Sequence, residues 1–274
     1  MALIILIRGG GDIASGVALR LHHSGLRVLI TELPQPLAIR RLASFAEAIY
    51  AGEIRIEDVT GRFAKDLPVV FQYLERGEIP VLVDPELKLL KYLRMKQSPI
   101  ILVDGRMIKK PPEFDSRELA FVIGLGPGFT AGENCHAVIE TKRGHQLGRV
   151  IWNGAAEADS GIPEPVNKQG LERVLRSPAD GYLKANVSIG DHLEPGQLIA
   201  EVNHQVIRSP FCGVLRGLIH PKVHLTKGMK IGDVDPRDDA SFCTRVSDKA
   251  MAVGGGVLEA ILSQPDLRPL LWEE

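Results

Sequence analysis

The chain has 274 residues, 45% of them hydrophobic, and its 33 Lys and Arg nearly balance its 34 Asp and Glu, so the net charge is −1. This length allows one large domain or two unequal ones. The near-neutral charge gives no electrostatic basis for binding nucleic acid or an anionic membrane. The isolated Cys135, Cys212 and Cys243 predict neither a zinc site nor a disulfide framework. With no basic leader and no apolar run near the roughly 20 residues that span a bilayer, we expect a cytoplasmic protein.

The chain begins with a strand, a glycine turn and a helix start, an arrangement that binds pyrophosphate. Residues 3–7 are apolar, and Gly9, Gly10 and Gly11 follow before a helical run. The pattern Gly9-x-Gly11-x-x-Ala14 fits the dinucleotide fingerprint, in which the glycines permit a tight turn and close approach of phosphate. Free N–H groups at the helix start then face the anion. We therefore predict a phosphate-bearing small-molecule ligand at this turn.

Two acidic residues bear on this prediction. Glu32 ends a second apolar strand at 28–31, about 20 residues beyond the glycines, where an acid commonly binds a ribose hydroxyl. Asp12 instead places a carboxylate close to the expected anion. Glycine turns after a first strand also occur for purely structural reasons, so the sequence leaves that alternative open.

Strands and helices alternate through the rest of the first half. Continuous apolar strands separated by helices indicate a parallel sheet covered on both faces. We predict a Rossmann-like α/β domain over residues 1–170, with its ligand crevice beyond the carboxyl ends of the strands. The predicted segments are helices at 37–50, 67–76 and 86–95 and strands at 54–56, 79–83, 100–103 and 119–123.

Further candidates for ligand contacts lie on a helix and on a loop. Arg40 and Arg41 belong to the helix predicted at 37–50 and could pair with phosphate, although exposed helix arginines are commonly solvated. The segment after residue 123 has four glycines within nine residues, which favours close approach of the backbone to a ligand. We expect this loop to close over the ligand. Its candidate contacts are Gly124, Gly126 and Gly128.

Three titratable residues follow that loop. His136, Glu140 and His145 could act as acid/base groups or metal ligands. Residues 136–141 alternate like a strand, which would put His136 and Glu140 on one face and His145 on a turn. Ordinary hydrogen-bonding roles therefore compete with a chemical one, and we predict no metal site.

A tandem repeat defines a second domain over residues 171–237. The segment 176–181 (Arg-Ser-Pro-Ala-Asp-Gly) recurs 32 residues later at 208–213 (Arg-Ser-Pro-Phe-Cys-Gly). Short β-runs duplicated at this period match the interlocked halves of a biotinyl/lipoyl-like barrel-sandwich hybrid. Because the junction at 201–207 has no lysine, we predict no covalent biotin or lipoate. Further pairs at this offset are Leu183/Leu215, His192/His224, Leu193/Leu225, Gly196/Gly228, Ile199/Ile231 and Val202/Val234.

The last segment, 238–274, is expected to pack back on the first domain. Ser247 is a plausible helix N-cap, and three glycines at 254–256 follow. Glycines weaken a helix interior by about 1 kcal/mol each. They leave two alternatives, a helix pressed against the first domain or a second glycine turn that opens a shorter helix at Val257.

Taken together, several stretches resemble the YqeB family of accessory proteins linked to selenium-dependent molybdenum hydroxylases. This resemblance implies a role in maturing such an enzyme. A looser resemblance is to the XdhC/CoxF maturation factors, which also carry a Rossmann domain and hold molybdenum cofactor for sulfuration and insertion, but their paired cysteines have no counterpart here. The stretches that carry the YqeB resemblance are 10–18, 38–41, 124–129, 140–145, 230–237 and 247–250.

Two functions follow from these observations. The first is a maturation factor that binds a molybdopterin-type cofactor or a nucleotide at the strand ends and meets a client molybdenum hydroxylase. The alternative is an NAD-dependent oxidoreductase that uses the same crevice, with His136 or His145 as the acid/base. Fold alone does not choose between them. A homo-oligomer is compatible with either.

Overall fold

The computed structural model describes residues 3–159, 161, 167 and 169–272, and its main element is a nine-stranded, mostly parallel sheet. The α-helices of the described residues are α1 (Asp12–His23), α2 (Ala48–Ala51), α3 (Leu67–Glu75), α4 (Lys88–Met95) and α5 (Asp248–Leu262). The strands of the large sheet are β1 (Ile4–Arg8), β2 (Val28–Glu32), β3 (Glu53–Ile56), β4 (Val59–Ala64), β5 (Ile79–Val83), β6 (Ile100–Asp104), β7 (Phe121–Leu125), β9 (Ala137–Ile139) and β10 (Val150–Ile151). A separate pair is formed by β8 (Thr130–Ala131) and β11 (Gly154–Ala155).

Six parallel strands of the large sheet follow the order of doubly wound α/β folds. The whole sheet runs β10-β9-β7-β6-β1-β2-β5-β4-β3, and the seven strands from β9 to β4 are parallel. Without β4, the other six have the strand order of doubly wound α/β folds, whose ligand crevice lies where the order reverses. Here the reversal falls between β1 and β6, where Arg8 pairs in register with Asp104. The predicted α/β class with a parallel sheet is confirmed.

Helices cover both faces of this sheet. Alternate side chains of a strand point to opposite faces. Ile5 and Ile7 of β1 therefore pack in one core with α1 and α5, whereas Ile4 and Leu6 pack in the other with α3 and α4. Helix α5 near the C-terminus thus shares a core with β1 and α1.

The glycines of the C-terminal segment lie within one continuous helix, α5. A Cβ on Gly254 would meet Arg20 Cβ at 3.0 Å, and one on Gly16 of α1 would meet Ala250 Cβ at 2.5 Å. The two helices therefore approach each other closely because glycines lie at their contact. A second glycine turn with a shorter helix at Val257 does not form.

The helix predicted at 37–50 is wrong. Residues 37–40 are not helical, and α2 covers only Ala48–Ala51 after two short 3₁₀ turns. Backbone groups of this segment bond elsewhere. Phe45 N–H donates to Ser15 Oγ at 2.8 Å, Ala46 N–H to Gly10 O at 2.9 Å, and Ile39 O accepts from Leu218 N–H at 3.0 Å. Tertiary hydrogen bonds therefore replace the helical ones.

The repeat region forms two four-stranded antiparallel sheets. Its strands are β12 (Val174–Arg176), β13 (Gly181–Ala185), β14 (His192–Leu193), β15 (Leu198–Val202), β16 (Gln205–Arg208), β17 (Gly213–Leu218), β18 (His224–Leu225) and β19 (Lys230–Asp235). The sheet orders are β12-β19-β17-β14 and β16-β15-β13-β18, so each sheet takes two strands from each repeat. The two halves are therefore interlocked by an exchange of equivalent strands.

Equivalent residues of the two repeats adopt equivalent conformations. Ser177 Oγ donates to Ala179 O at 2.7 Å, and its counterpart Ser209 Oγ donates to Phe211 O at 2.8 Å. The turn glycines at 196 and 228 have φ of +79° and +83°. These matches agree with the sequence repeat, while the assignment to a barrel-sandwich hybrid stays a prediction. Within the described residues, no helix combines the length and hydropathy that crossing a membrane requires.

Candidate functional site

A cavity of about 660 Å³ lies where the strand order of the large sheet reverses. Its wall comes from the ends of β1, β2 and β6, from the segment after β5, and from Lys230 and Asp233 of β19. The cavity therefore lies between the large sheet and the repeat region. A volume of this size accommodates a small organic ligand.

The glycine turn predicted to hold phosphate borders this cavity. Gly9 has φ of +90°, a conformation that strongly favours glycine, and its N–H donates to Thr31 O at 2.7 Å. Gly11 is the N-cap of α1 and has no side chain to cap the helix, while Asp12 in the first turn accepts from Ile13 N–H. A Cβ on Gly11 would meet nothing within 4 Å. The start of α1 thus faces open space.

Ala14 has the packing role that the fingerprint predicts, although its partner lies on a different strand. A Cβ on Gly105, the residue after β6, would meet Ala14 Cβ at 2.7 Å. A larger residue at position 14 would therefore push α1 away from the end of β6. The small side chain keeps the helix start close to the point of strand reversal.

Both acidic residues of the glycine turn are engaged by the protein. Glu32 accepts hydrogen bonds from Gly10 N–H and Leu33 N–H, each at 2.7 Å. Burial raises the pKa of Glu32, and these two hydrogen bonds oppose that rise. Asp12 accepts from Ile13 N–H at 2.9 Å and pairs with Arg40 Nη1 at 3.2 Å. The Asp12 charge is therefore partly neutralised beside the helix start.

The two candidate arginines are placed differently. Arg40 lines the cavity. Its Nη1 pairs with Asp12, and its Nη2 donates to the carbonyls of Phe242 and Arg245 at 3.1 and 3.0 Å. Arg41 is not part of the cavity wall, because its Nε donates to Leu218 O at 2.8 Å and its Nη1 pairs with Glu47 at 2.6 Å. Arg40 therefore joins α1 to the C-terminal segment, and Arg41 joins the segment between β2 and α2 to the repeat region.

Sequence reasoning missed a second pair of arginines at the cavity. Arg8 ends β1 and Arg106 follows β6, so they flank the point of strand reversal. The Asp104 and Glu113 carboxylates pair with both. The place of Arg8, directly before the glycines and at a strand end, is the signal in the sequence that could have identified it.

One polar side chain at the cavity has no partner. The Thr31 hydroxyl is buried, and Oγ1 makes no hydrogen bond although Thr31 belongs to the cavity wall. Burying a hydroxyl without a hydrogen bond costs free energy.

The glycine-rich loop after β7 packs against the protein itself. A Cβ on Gly124 would overlap the ring of Phe129, and one on Gly128 would lie 2.5 Å from Ile108 O. Gly126 has φ of +80° and its Cβ would meet Thr141 Oγ1 at 2.8 Å. None of these three glycines belongs to the cavity wall. The positions of these three glycines therefore do not support the prediction that they contact a ligand.

The structure does not bring His136, Glu140 and His145 together. His136 Nδ1 accepts from Val122 N–H at 2.9 Å, and burial lowers its pKa. The buried Glu140 accepts from three backbone N–H groups at 2.7–2.8 Å, those of residues 141, 142 and 157. His145 is exposed, and none of the three lines the cavity. Across the part of the chain that the structure describes, no cluster of three His, Cys, Asp or Glu could hold a metal ion.

The cysteines are free, and none is activated. Cys135 and Cys243 are buried, and burial raises the pKa of both thiols, that of Cys135 to about 12. Cys212 is exposed, and its hydrogen bond to Glu194 raises its pKa. Because a thiolate is the nucleophilic form, these environments disfavour sulfur transfer through the thiols.

Comparisons with known proteins give one strong similarity. The chain is 44% identical over 259 residues to "Uncharacterized protein YqeB" of Escherichia coli (strain K12), an alignment that covers 94% of this chain and 47% of that protein. The chain thus spans about half the length of this curated relative. No protein-family model matches.

Two solved structures show only weak similarity. They are an aspartoacylase family protein from Mesorhizobium loti, with 13% identity and a TM-score of 0.27, and an ectoine utilization protein from Ruegeria pomeroyi, with 12% identity and a TM-score of 0.26. Each match covers 85% of this chain, and they cover 84% and 85% of those chains. At these scores neither match carries an argument.

Proposed function

The 44% identity supports placing this chain in the YqeB family, and on that premise we propose that it is an accessory factor in the maturation of a molybdenum hydroxylase. In this proposal it binds a molybdopterin-type cofactor, or a nucleotide, in the cavity at the strand reversal. The observation that carries the binding part is the open space at Gly11, the N-cap of α1, which borders a cavity of about 660 Å³.

The residues of the cavity fit a ligand that carries phosphate. Uncapped N–H groups at the start of a helix favour an anion. Arg8 and Arg106 add two guanidinium groups, and a guanidinium matches the geometry of phosphate oxygens. The Glu32 carboxylate, which lines the cavity, would meet hydroxyl or amino groups of the ligand.

The same wall favours binding over turnover. Among the described residues that line the cavity there is no histidine or cysteine. Asp84 accepts from the N–H groups of Lys88 and Leu89 at 2.9 and 2.8 Å, and Asp104 is paired with arginines. The proposed role is therefore to hold a ligand and pass it on to the client enzyme.

The repeat region has a separate part in this proposal. We assign it to the barrel-sandwich hybrid class because each of its sheets combines strands from both repeats. Asn203 and His204, with φ of +48° and +64°, form the turn between β15 and β16, and neither has an amine to acylate. The region would therefore not act as a biotin or lipoate carrier. Instead it supplies Lys230 and Asp233 to the cavity wall and a surface for the client hydroxylase.

Native mass spectrometry of protein purified from its own host tests the binding proposal. We expect a retained phosphate-bearing ligand on the wild type and none on Gly11→Val, because the new side chain fills space that the phosphate needs. Gly255→Val is the matched control, since a Cβ there also meets nothing within 4 Å but lies outside the cavity wall. Equal ligand retention by the wild type and Gly11→Val would remove the site from this turn.

A second candidate function is an NAD-dependent oxidoreductase. It is favoured by the strand order and by Glu32 at the end of β2, where an acid binds the ribose of NAD. If the ligand is a dinucleotide, Glu32 repels a 2′-phosphate and the protein binds NAD more tightly than NADP. Calorimetric titration with both compounds tests this, and tighter binding of NADP would contradict it.

A further inference from the structure

Two arginines and two carboxylates meet at the edge of the cavity beside the glycine turn. Arg106 donates through Nε and Nη2 to Asp104 at 3.0 and 2.8 Å, and through Nη1 to both Glu113 oxygens at 3.0 and 3.1 Å. Arg8 Nη1 lies 3.7 Å from Asp104 and 3.5 Å from Glu113. The two guanidinium groups therefore share the same two carboxylates.

The two carboxylates differ in accessibility. The Asp104 side chain is 4% exposed and ends β6, whereas that of Glu113 is 65% exposed and lies on the loop between β6 and β7. Asp104 is thus a fixed part of the arginine pair, while an exposed carboxylate is held only weakly. Without Glu113, the remaining two arginines and one aspartate carry a net positive charge.

The arginine pair lies next to the glycine turn. A Cβ on Gly9 would meet Arg106 Cγ at 3.3 Å, so the stem of Arg106 packs directly over the turn. An anion at the start of α1 and another on Arg106 would therefore be close neighbours. The two phosphoryl groups of a diphosphate have this relationship.

We propose that Arg106 and Arg8 form a second anion seat, which Glu113 fills in the free protein. One phosphoryl group of a diphosphate ligand binds there by displacing the Glu113 carboxylate, while the other binds at the start of α1. This inference rests on the proposed function, because it requires a ligand at the glycine turn. Glu113 acts as an internal competitor, so apparent affinity falls with the fraction of molecules in which it fills the seat.

The charge of Glu113 does not change with pH near neutrality. Hydrogen bonds from Arg106 and the backbone, with the charges of Arg106 and Arg8, lower the pKa of Glu113 to about 2. The groups that face it are Arg8, Arg106 and, across the arginines, Asp104. Glu113 therefore competes as a carboxylate under all ordinary conditions.

Inorganic pyrophosphate is the ligand used to test this seat, with affinity measured by calorimetry at fixed pH and ionic strength. We expect Glu113→Gln to bind it about two- to fivefold more tightly, since an exposed ion pair contributes little and its loss frees the seat. Arg106→Lys keeps the positive charge but loses the planar guanidinium, which can donate two parallel hydrogen bonds to one phosphate. We therefore expect it to bind pyrophosphate roughly tenfold more weakly than the wild type. Thermal unfolding of both variants confirms that they fold.

Asp115→Asn is the matched control. Asp115 lies on the same loop, and both of its carboxylate oxygens accept hydrogen bonds from the Arg117 guanidinium at 2.6–3.0 Å, outside the cavity wall. Its substitution removes the same charge without freeing the seat, so pyrophosphate affinity should stay at the wild-type value. An equal gain in both variants would make the effect one of net charge and overturn the inference.

The outcomes separate this inference from the proposed function. If Glu113→Gln binds pyrophosphate no more tightly than the wild type, the second seat is wrong. The ligand found by native mass spectrometry on the wild type, and lost in Gly11→Val, would still support the proposed function. Pyrophosphate binding to neither the wild type nor Glu113→Gln also overturns the second seat, and the mass measurement then decides the proposed function by itself.

Discussion

Two glycine-rich segments follow parallel strands in this protein, and they use their glycines in opposite ways. At the turn after β1, a Cβ on Gly11 would meet nothing within 4 Å. At the end of β7, where the second segment begins, a Cβ on Gly124 would overlap the Phe129 ring, which is almost fully buried. One segment leaves space for a ligand, whereas the other fills the equivalent space with its own side chain. A run of glycines thus indicates that another group approaches the backbone closely, but it does not show whether that group is a ligand or a side chain of the protein.

The acidic residues beside the two segments, Glu32 and Glu140, differ in the same way. Glu32 accepts from Gly10 N–H and lines the cavity. Glu140 is buried beside the loop after β7 and accepts from three backbone N–H groups. Both hold backbone in place, but only Glu32 also borders open space. We therefore expect substitutions near the loop to change stability and substitutions at the turn to change binding.

Phe129→Ala should have the largest effect on stability. Removing a buried aromatic ring that fills the space beside Gly124 should cost about 3–5 kcal/mol of the free energy of unfolding. Chemical denaturation measures this. A cost below 1 kcal/mol would mean that the loop is not held by its own side chain, and the comparison between the two segments would fail.

Gly124→Ala should have the next largest effect. Its methyl group would press on the Phe129 ring, and such overpacking costs about 1–3 kcal/mol. Because Phe129→Ala removes the obstacle, the double variant should lose less stability than the two single variants together. Strict additivity in denaturation would show that the two residues do not compete for the same space.

Glu32 should give a smaller, pH-dependent effect. Burial raises its pKa in the folded protein above the ordinary value of 4.5, so the folded state holds the proton at a pH where the unfolded state has lost it. The free energy of unfolding therefore falls as pH rises from the ordinary pKa through the raised one. Glu32→Gln should remove this dependence, whereas Glu75→Gln, on the exposed side of α3, should keep it. A pH profile of Glu32→Gln identical to that of the wild type would contradict this.

Gly11→Val should have the smallest effect on stability. The residue is the N-cap of α1 with φ of −67°, and the new side chain meets open space. The loss of a favourable cap residue costs about 1 kcal/mol at most. If Gly11→Val unfolds at nearly the wild-type temperature but loses the retained ligand, the turn acts in binding, in contrast to the loop after β7, which acts in stability. A cost as large as that of Gly124→Ala would show that the turn is also closely packed.

The sequence by itself determined most of the elements. The strands at 79–83 and 100–103 and the helix at 67–76 agree with β5, β6 and α3 to within a residue or two, because buried apolar runs and N-caps are local signals. The helix at 37–50 failed since its backbone hydrogen bonds go to Ser15, Gly10 and Leu218, which no local pattern reveals. β4 was not predicted at all.

Some residues of the candidate site could likewise be predicted from the sequence, and others could not. The glycine turn and Glu32 could be predicted from spacing alone, and the structure places both at the cavity. His136 and Glu140 looked chemical because of their residue types, but their hydrogen bonds go to the backbone. Arg8 and Arg106 were missed, since a strand-end arginine becomes part of a site only when a distant strand brings a second one beside it.

What the sequence determined about this protein is the alternation of strands and helices, the turn that starts α1 and the duplication within 171–237, all of which depend on neighbours along the chain. The tertiary structure decided which glycines border space, which acids and arginines meet, and how β19 closes one side of the cavity. The physical reason is that local patterns fix backbone conformation and burial. Open space, by contrast, is what remains after residues far apart in sequence have packed.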